Sequence, residues 1–177
     1  LYKDENTGAI QVTIDPKNPN IIYADMWAGR QGPWENGAWD GKESGLYKST
    51  DGGTSWKKIT KGLPTIEQGL ARIGFCIAPS DPNRLYATAD AREAGGIYRS
   101  DDAGVSFTMV QAGSFKDMEF KPGDPTVVYT STGSGTIRRS TNTGDTWTNL
   151  SGGLPTTSLG RVALAVTPAN PEYLYAL

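Results

Sequence analysis

Apolar residues in this chain recur at alternate positions in short runs, and each run is cut off by glycine, proline, asparagine or aspartate. That alternation fits strands with one buried face, and no stretch shows the three-to-four-residue recurrence of an amphipathic helix. The runs come in rounds. First strands are predicted at 11–14, 73–78, 118–120 and 161–166, and second strands at 21–24, 85–88, 127–130 and 173–176. Third strands are predicted at 45–48, 96–99 and 136–139, and fourth strands at 56–59, 107–110 and 147–150, each starting at an aromatic residue.

The punctuation between strands is itself repeated. A Pro-rich turn ending in an apolar-Tyr strand occurs at Pro19–Tyr23, Pro82–Tyr86, Pro125–Tyr129 and Pro171–Tyr175. The spacings between these prolines are 63, 43 and 46 residues. A second motif sits between strands three and four. Its copies are Ser49-Thr50-Asp51-Gly52-Gly53-Thr54-Ser55-Trp56, Ser100-Asp101-Asp102-Ala103-Gly104-Val105-Ser106-Phe107 and Ser140-Thr141-Asn142-Thr143-Gly144-Asp145-Thr146-Trp147. Forty-odd residues holding four short strands is the period of a propeller blade. The reading is therefore all-β: a β-propeller of four-stranded antiparallel blades near 8–60, 70–111 and 115–150, with half a blade at 158–177. The last residues read as a strand, and open edges template aggregation. Further blades are accordingly expected, from a longer chain or from other chains.

Within the second motif the residue types suit a tight turn. Asp51, Asp102 and Asn142 offer a side-chain oxygen to backbone N–H groups, as Asx turns do. Gly53, Gly104 and Gly144 permit positive φ, and Trp56, Phe107 or Trp147 folds its ring over the blade edge. Asn142 keeps the acceptor and loses the charge, which argues against a catalytic carboxylate or a cation ligand at this position.

Composition narrows the chemistry. Seventeen Lys and Arg against nineteen Asp and Glu give a net charge of −2, with no basic block, which excludes the electrostatic footprint of nucleic-acid binding. No apolar run is long enough to span a bilayer. The chain has no histidine and a single cysteine, Cys76, so imidazole catalysis, His-ligated metals and an intrachain disulfide are excluded. Neither a metal nor a cofactor is expected. Cys76 reads as a small apolar core residue.

The long first spacing comes from one loop, 25–44, about twenty residues longer than its counterparts. In a propeller the links from strand two to three, and from strand four to the next blade, share the face around the channel. Long loops of this kind are usually functional or disordered, and tryptophan density argues against disorder. Trp27, Trp34 and Trp39 with Arg30, Glu35 and Asp40 form the candidate binding surface, because rings stack on sugars while polar neighbours hydrogen-bond them. The alternative is that the tryptophans plug the loop onto a neighbouring blade. Glu35 and Asp40 are also conceivable as the paired carboxylates of a glycosidase.

The Ser-x-Asp-x-Gly motif resembles the Asp box of sialidases, sortilin-type receptors and xyloglucan-cleaving glycosidases. Its pairing with turns such as Asp81-Pro82-Asn83 and strands such as Gly96-Ile97-Tyr98-Arg99 is similar to sortilin-like bacterial propellers. The resemblance implies that the boxes are structural and lie away from the substrate. It also implies a secreted or envelope-associated protein that either binds glycans or protein partners or belongs to a polysaccharide hydrolase. Neither a sialidase arginine triad nor a xyloglucanase catalytic aspartate can be carried onto a matching position.

Overall fold

The rounds of strand and turn form four antiparallel sheets in a computed structural model that describes residues 1–30, 37, 39–154 and 160–177. The first sheet is ordered β1 (Thr7–Asp15), β2 (Asn18–Ala28), β3 (Gly45–Ser49), β4 (Lys57–Lys58). The second repeats it with β5 (Leu70–Ile77), β6 (Leu85–Ala91), β7 (Gly96–Ser100) and β8 (Thr108–Ala112). The third contains β9 (Phe115–Lys121), β10 (Asp124–Thr132), β11 (Ile137–Ser140) and β12 (Thr148–Asn149). β13 (Leu164–Thr167) and β14 (Asn170–Ala176) form a two-stranded sheet. Every strand pairs with its sequence neighbour, and no helix occurs among the described residues.

Several strand bounds differ from the sequence pattern, among them β1, which starts at Thr7, and β13, which starts at Leu164, and two differences bear on the site and the turns. β2 continues to Ala28, so Asp25, Met26 and Trp27 belong to the ladder rather than the loop, with Asp25 opposite Leu46. Residues 23–26 are all buried, on both faces of the sheet, and a strand covered on both faces loses its alternation. The fourth strands, conversely, begin after the aromatic residue. Trp56 Nε1 donates to Gly53 O at 2.8 Å and Trp147 Nε1 to Gly144 O at 3.0 Å, folding each indole back over its turn and taking its backbone out of the ladder. Phe107 has no ring N–H and is instead buried in the core between the first two sheets.

The Ser-x-Asp/Asn turns share one hydrogen-bond plan. Ser49 Oγ accepts from Gly53 N at 2.8 Å and donates to Asp51 Oδ1 at 2.7 Å, while Ser55 N donates to Asp51 Oδ1 at 2.8 Å. Ser100, Asp102 and Ser106 repeat it, as do Ser140, Asn142 and Thr146. Asn142 changes one bond: Ser55 Oγ donates to the Asp51 carboxylate, whereas Asn142 Nδ2 donates to Thr146 Oγ1 at 2.9 Å. Each turn holds two successive left-handed residues, Gly52–Gly53, Ala103–Gly104 and Thr143–Gly144. A non-glycine residue there is strained and persists only where its surroundings over-determine it.

The surroundings that hold it come from the preceding sheet. Lys48 Nζ and Tyr23 Oη both donate to Ala103 O at 2.7 Å. One sheet further on, Arg99 Nη1 donates to Thr143 O at 2.7 Å. Tyr23 and Lys48 are direct cross-strand partners, as are Tyr86 and Arg99. A Cβ on Gly104 would come within 3.2 Å of the Tyr23 ring, and one on Gly144 within 3.1 Å of the Tyr86 ring, so glycine lets each turn close onto the tyrosine before it. Each turn's left-handed residue is also tied to its own sheet: Gly52 N, Ala103 N and Thr143 N donate to Asn20 O, Asn83 O and Thr126 O at 2.9–3.0 Å. Below these latches lie the apolar interfaces. Tyr23, Leu46, Ile73, Phe75, Leu85 and Phe107 fill the first, Tyr86, Ile97, Met118, Phe120 and Val128 the second, and Val127, Tyr129, Ile137, Val162 and Leu164 the third.

The turn bonds predict a specific acid response. Hydrogen bonds from the Ser55 side chain and backbone hold the exposed Asp51 carboxyl down at about 2, below its ordinary 3.8. The folded-state value is depressed, so the stability it contributes is complete above pH 4 and is lost as pH falls towards 2. Asp51→Ala is expected to lower the melting temperature at pH 7 more than Asp51→Asn, which copies the third turn. Asp51→Asn is also expected to lose less stability than wild type between pH 4 and 2. Thermal melts of the three proteins across that range check both.

Candidate functional site

The link from β2 to β3 is closed at its base by backbone bonds. Ala28 N donates to Ser44 Oγ at 2.9 Å and Ser44 N to Gly41 O at 2.8 Å. A Cβ on Gly41 would lie 2.5 Å from the Ala28 methyl, so only glycine allows this closure. Beside it, Tyr47 Oη donates to Glu43 Oε2 at 2.9 Å, and Lys3 Nζ lies 4.5 Å from the Tyr47 ring centroid.

On this base the loop carries an aromatic pair. Trp27, at the end of β2, stacks on Trp39 with ring centroids 5.9 Å apart and planes 20° from parallel. Trp27 Nε1 also donates to Trp39 O at 2.8 Å, fixing the backbone that carries the second ring. Trp39 is 47% exposed. Arg30 and Asp40 are exposed in the same loop. Trp34 and Glu35 lie outside the described residues. Trp27, Trp39, Arg30 and Asp40 are thus all on this loop or at its root, with Trp39 offering an open ring.

A second polar site has no counterpart in the sequence reading. Side chains of the first strands, with Asp25 and Arg161, line a cleft of about 410 Å³ between the sheets. Its titratable lining is Asp25, Arg72, Lys116, Asp117, Glu119 and Arg161. Asp25 is fully buried, and neither of its carboxyl oxygens has a hydrogen-bond partner. Burial pushes its carboxyl up to about 8, against a smaller downward pull from Arg72. Glu119 is raised to about 7, first by burial and then by the neighbouring Asp117 charge. Asp117 accepts Leu164 N at 2.7 Å, linking β9 to β13. Lys116 is paired with Asp90 at 3.3 Å. Two carboxyl groups that hold protons near neutral pH in one cavity have the protonation states that general acid–base chemistry uses. Burial is the largest cause in both, and burial is a tertiary property with no signature in spacing.

Cys76 also lines the cleft; it is partly buried against the second interface, and burial raises its thiol well above the usual range, which makes it unreactive at neutral pH. Among the described residues no group of three or more acidic or cysteine side chains is placed to hold a metal ion. No described helix is long and apolar enough to cross a membrane.

Known proteins share this fold. Over 113 residues the chain is 26% identical to a xyloglucanase of Hypocrea jecorina (strain QM6a), covering 60% of this chain and 12% of that protein. A xyloglucanase of Paenibacillus sp is 27% identical over 109 residues, covering 58% of this chain and 10% of that protein. The chain therefore spans only about a tenth of the length of these curated relatives. An ancestral GH74 enzyme superposes with a TM-score of 0.68 at 18% identity, covering 95% of this chain and 21% of the other. An auxiliary nutrient binding protein from Bacteroides thetaiotaomicron superposes with a TM-score of 0.64 at 16% identity, covering 96% and 36%. YCF48 bound to a D1 peptide gives 0.52 at 15% identity, covering 82% and 40%. No protein-family model matches the sequence. The chain is an arc of a β-propeller with four-stranded antiparallel blades, the fold it shares with these solved structures.

The buried acids predict how stability responds to alkali. Between pH 3.8 and about 8 the folded chain keeps a proton on Asp25 that the unfolded chain has released, so this group's contribution falls as pH rises through that window. Glu119 acts in the same direction up to about 7. Wild type is expected to melt at progressively lower temperature from pH 4 to pH 8. Asp25→Asn, which cannot ionise, should flatten that slope and melt higher than wild type at pH 8. An unchanged slope in the variant would contradict the assignment.

Proposed function

We propose that this chain is part of a glycoside-hydrolase-like propeller that grips a polysaccharide on the face carrying the β2–β3 link, with Trp39 as the stacking platform. One observation carries the reading. Trp39 keeps about half of its surface open while Trp27 holds it in place, by stacking on the ring and by bonding its carbonyl. An indole face beside polar groups suits the apolar face and polar edge of a sugar ring, and a ring already fixed loses little conformational freedom on binding. Arg30 and Asp40 supply polar edges to the same loop. The Ser-x-Asp/Asn turns, read as Asp boxes, are folding devices in this scheme, and the similarity to two xyloglucanases supports a glucan ligand and an extracellular or envelope setting.

The polar cleft between the sheets favours a second reading, in which the propeller is catalytic. Asp25 and Glu119, rather than Glu35 and Asp40, are then the carboxyl pair whose protonation suits hydrolysis of a glycosidic bond. In that scheme Glu119, the more accessible of the two, meets the substrate.

The proposal is tested by titrating the protein with a xyloglucan oligosaccharide in a calorimeter. Trp39→Ala is expected to weaken binding by at least tenfold, the behaviour of a stacking hot spot, while melting within a few degrees of wild type. Equal affinity in the folded variant would remove Trp39 from the site.

A further inference from the structure

The two latches between complete sheets differ in charge. Arg99, which holds the third sheet's turn, meets Asp101 at 3.0 Å and Asp145 at 2.9 Å. Lys48 holds the second sheet's turn in the same way. Around it, however, Thr50 stands at the repeat position of Asp101 and Val105 at that of Asp145. The fourth strands differ in the opposite sense. Lys57 lies directly across the ladder from Lys48, whereas Thr108 lies across from Arg99 and Thr148 across from Arg139. Like charges in directly opposed positions repel. A little further on, Lys61 takes the repeat position of Ala112. The first interface has thus gained cations where the second has carboxylates and neutral side chains.

Lys48, Lys57 and Lys61 line a groove of about 600 Å³ between the outer edge of the first sheet and the second sheet's turn. Trp56, Ile59 and Val105 supply its apolar wall, and no carboxyl group is among its described lining residues. Both walls belong to complete four-stranded sheets. Lys57 and Lys61 are exposed, and their ammonium groups have no hydrogen-bond or ion-pair partner among the described residues. Burial lowers the Lys48 ammonium below its ordinary range, against upward pulls from Asp15 and Asp102, so those two carboxylates do not make up for the lost water. β4, which forms one wall, is an outer strand with no neighbour on its far side among the described residues. Lysine on an open edge repels a second copy of that edge, and the same charge attracts an acidic strand.

We infer that this groove is a docking site for an extended acidic peptide segment of a partner protein, which adds along β4 with Asp or Glu at alternate positions. Side chains two residues apart in a strand point the same way, so the alternation places the acids on the face that Lys48 and Lys57 share. They take the part that Asp101 and Asp145 play at the next interface. Main-chain pairing with the edge supplies affinity, and the ammonium groups select acidic over neutral strands. An acidic glycan would match the charge but would offer no row of N–H and C=O groups to the open edge. The site shares no residue with the Trp39 loop, so the inference is independent of what binds there.

A fluorescein-labelled peptide of alternating Glu and Thr is titrated with the protein at low salt, and a Gln-Thr peptide of the same length serves as the comparison. Saturable binding of the Glu peptide is expected, weakened roughly tenfold or more by the change to Gln and falling as salt is added. Two variants copy the other interfaces: Lys57→Thr/Lys61→Ala reproduces the second sheet, and Val105→Asp reproduces the third turn while leaving every lysine in place. Each should weaken binding roughly tenfold or more. Each should also melt no lower than wild type, because each relieves repulsion among the lysines. Absence of binding to the folded wild type, equal affinity for the Gln peptide, or unchanged affinity in both folded variants overturns the inference. Tetragalacturonate is titrated in parallel, and its binding without binding of the peptide would give the groove to an acidic glycan and overturn the peptide assignment.

Discussion

Ala103 and Thr143 turn their carbonyl oxygens out of their own hairpins, and a cation of the preceding sheet takes up each one. The arrangement requires a left-handed residue followed by a left-handed glycine, a condition that all three Ser-x-Asp/Asn turns meet. The turn's internal bonds and the bond between sheets therefore depend on each other. Without the serine and the aspartate the carbonyl would not point outward. Tyr23 and Lys48, with the Ala103 N–H bond to Asn83 O, offset the backbone strain at Ala103, which is of order 1–3 kcal/mol for such a residue. A turn that looks like local punctuation thus ties one blade to the one before it.

The same strand that carries the first latch also positions the cleft's buried acid. Side chains two residues apart share a face of a strand, so Asp25 points the same way as Tyr23, towards the second sheet and Arg72. Its desolvation follows from the closeness with which that sheet packs. Glu119 is in a parallel situation one interface on: it stands opposite Tyr129 in the ladder and is raised by burial and by Asp117. The polar cavity is accordingly a by-product of blade packing, and its proton affinity is set by the packing distance between sheets rather than by a motif.

Much of the architecture could be read from the residues because the repeat is local. Proline, glycine and the Ser-x-Asp/Asn spacing mark every turn, and tyrosine marks every second strand. The length of β2 was not legible: Asp25 breaks an apolar run that the fold buries whole, so the ladder extends past the point where polarity suggests a loop. The start of the fourth strands was hidden for another reason, since the indole bonds of Trp56 and Trp147 bend the chain before pairing resumes. At the site, tryptophan density pointed to Trp27 and Trp39, and the structure stacks them. Asp25, Arg72 and Glu119 carried no such signal, because residues from three different sheets become neighbours only after the arc has formed.

The dependence of one blade on its neighbour is tested most directly by amide hydrogen exchange in the Tyr23→Phe/Lys48→Met double variant. Both substitutions keep the apolar bulk of the side chain and remove the donors to Ala103 O. The account predicts loss of protection at the amides of Ala103 and Gly104 in the second sheet's turn, with Gly53 in the first sheet's turn unchanged. Unaltered protection at Ala103 and Gly104 would show that the turn holds itself, and would contradict the claim that each blade is fixed by the one before it.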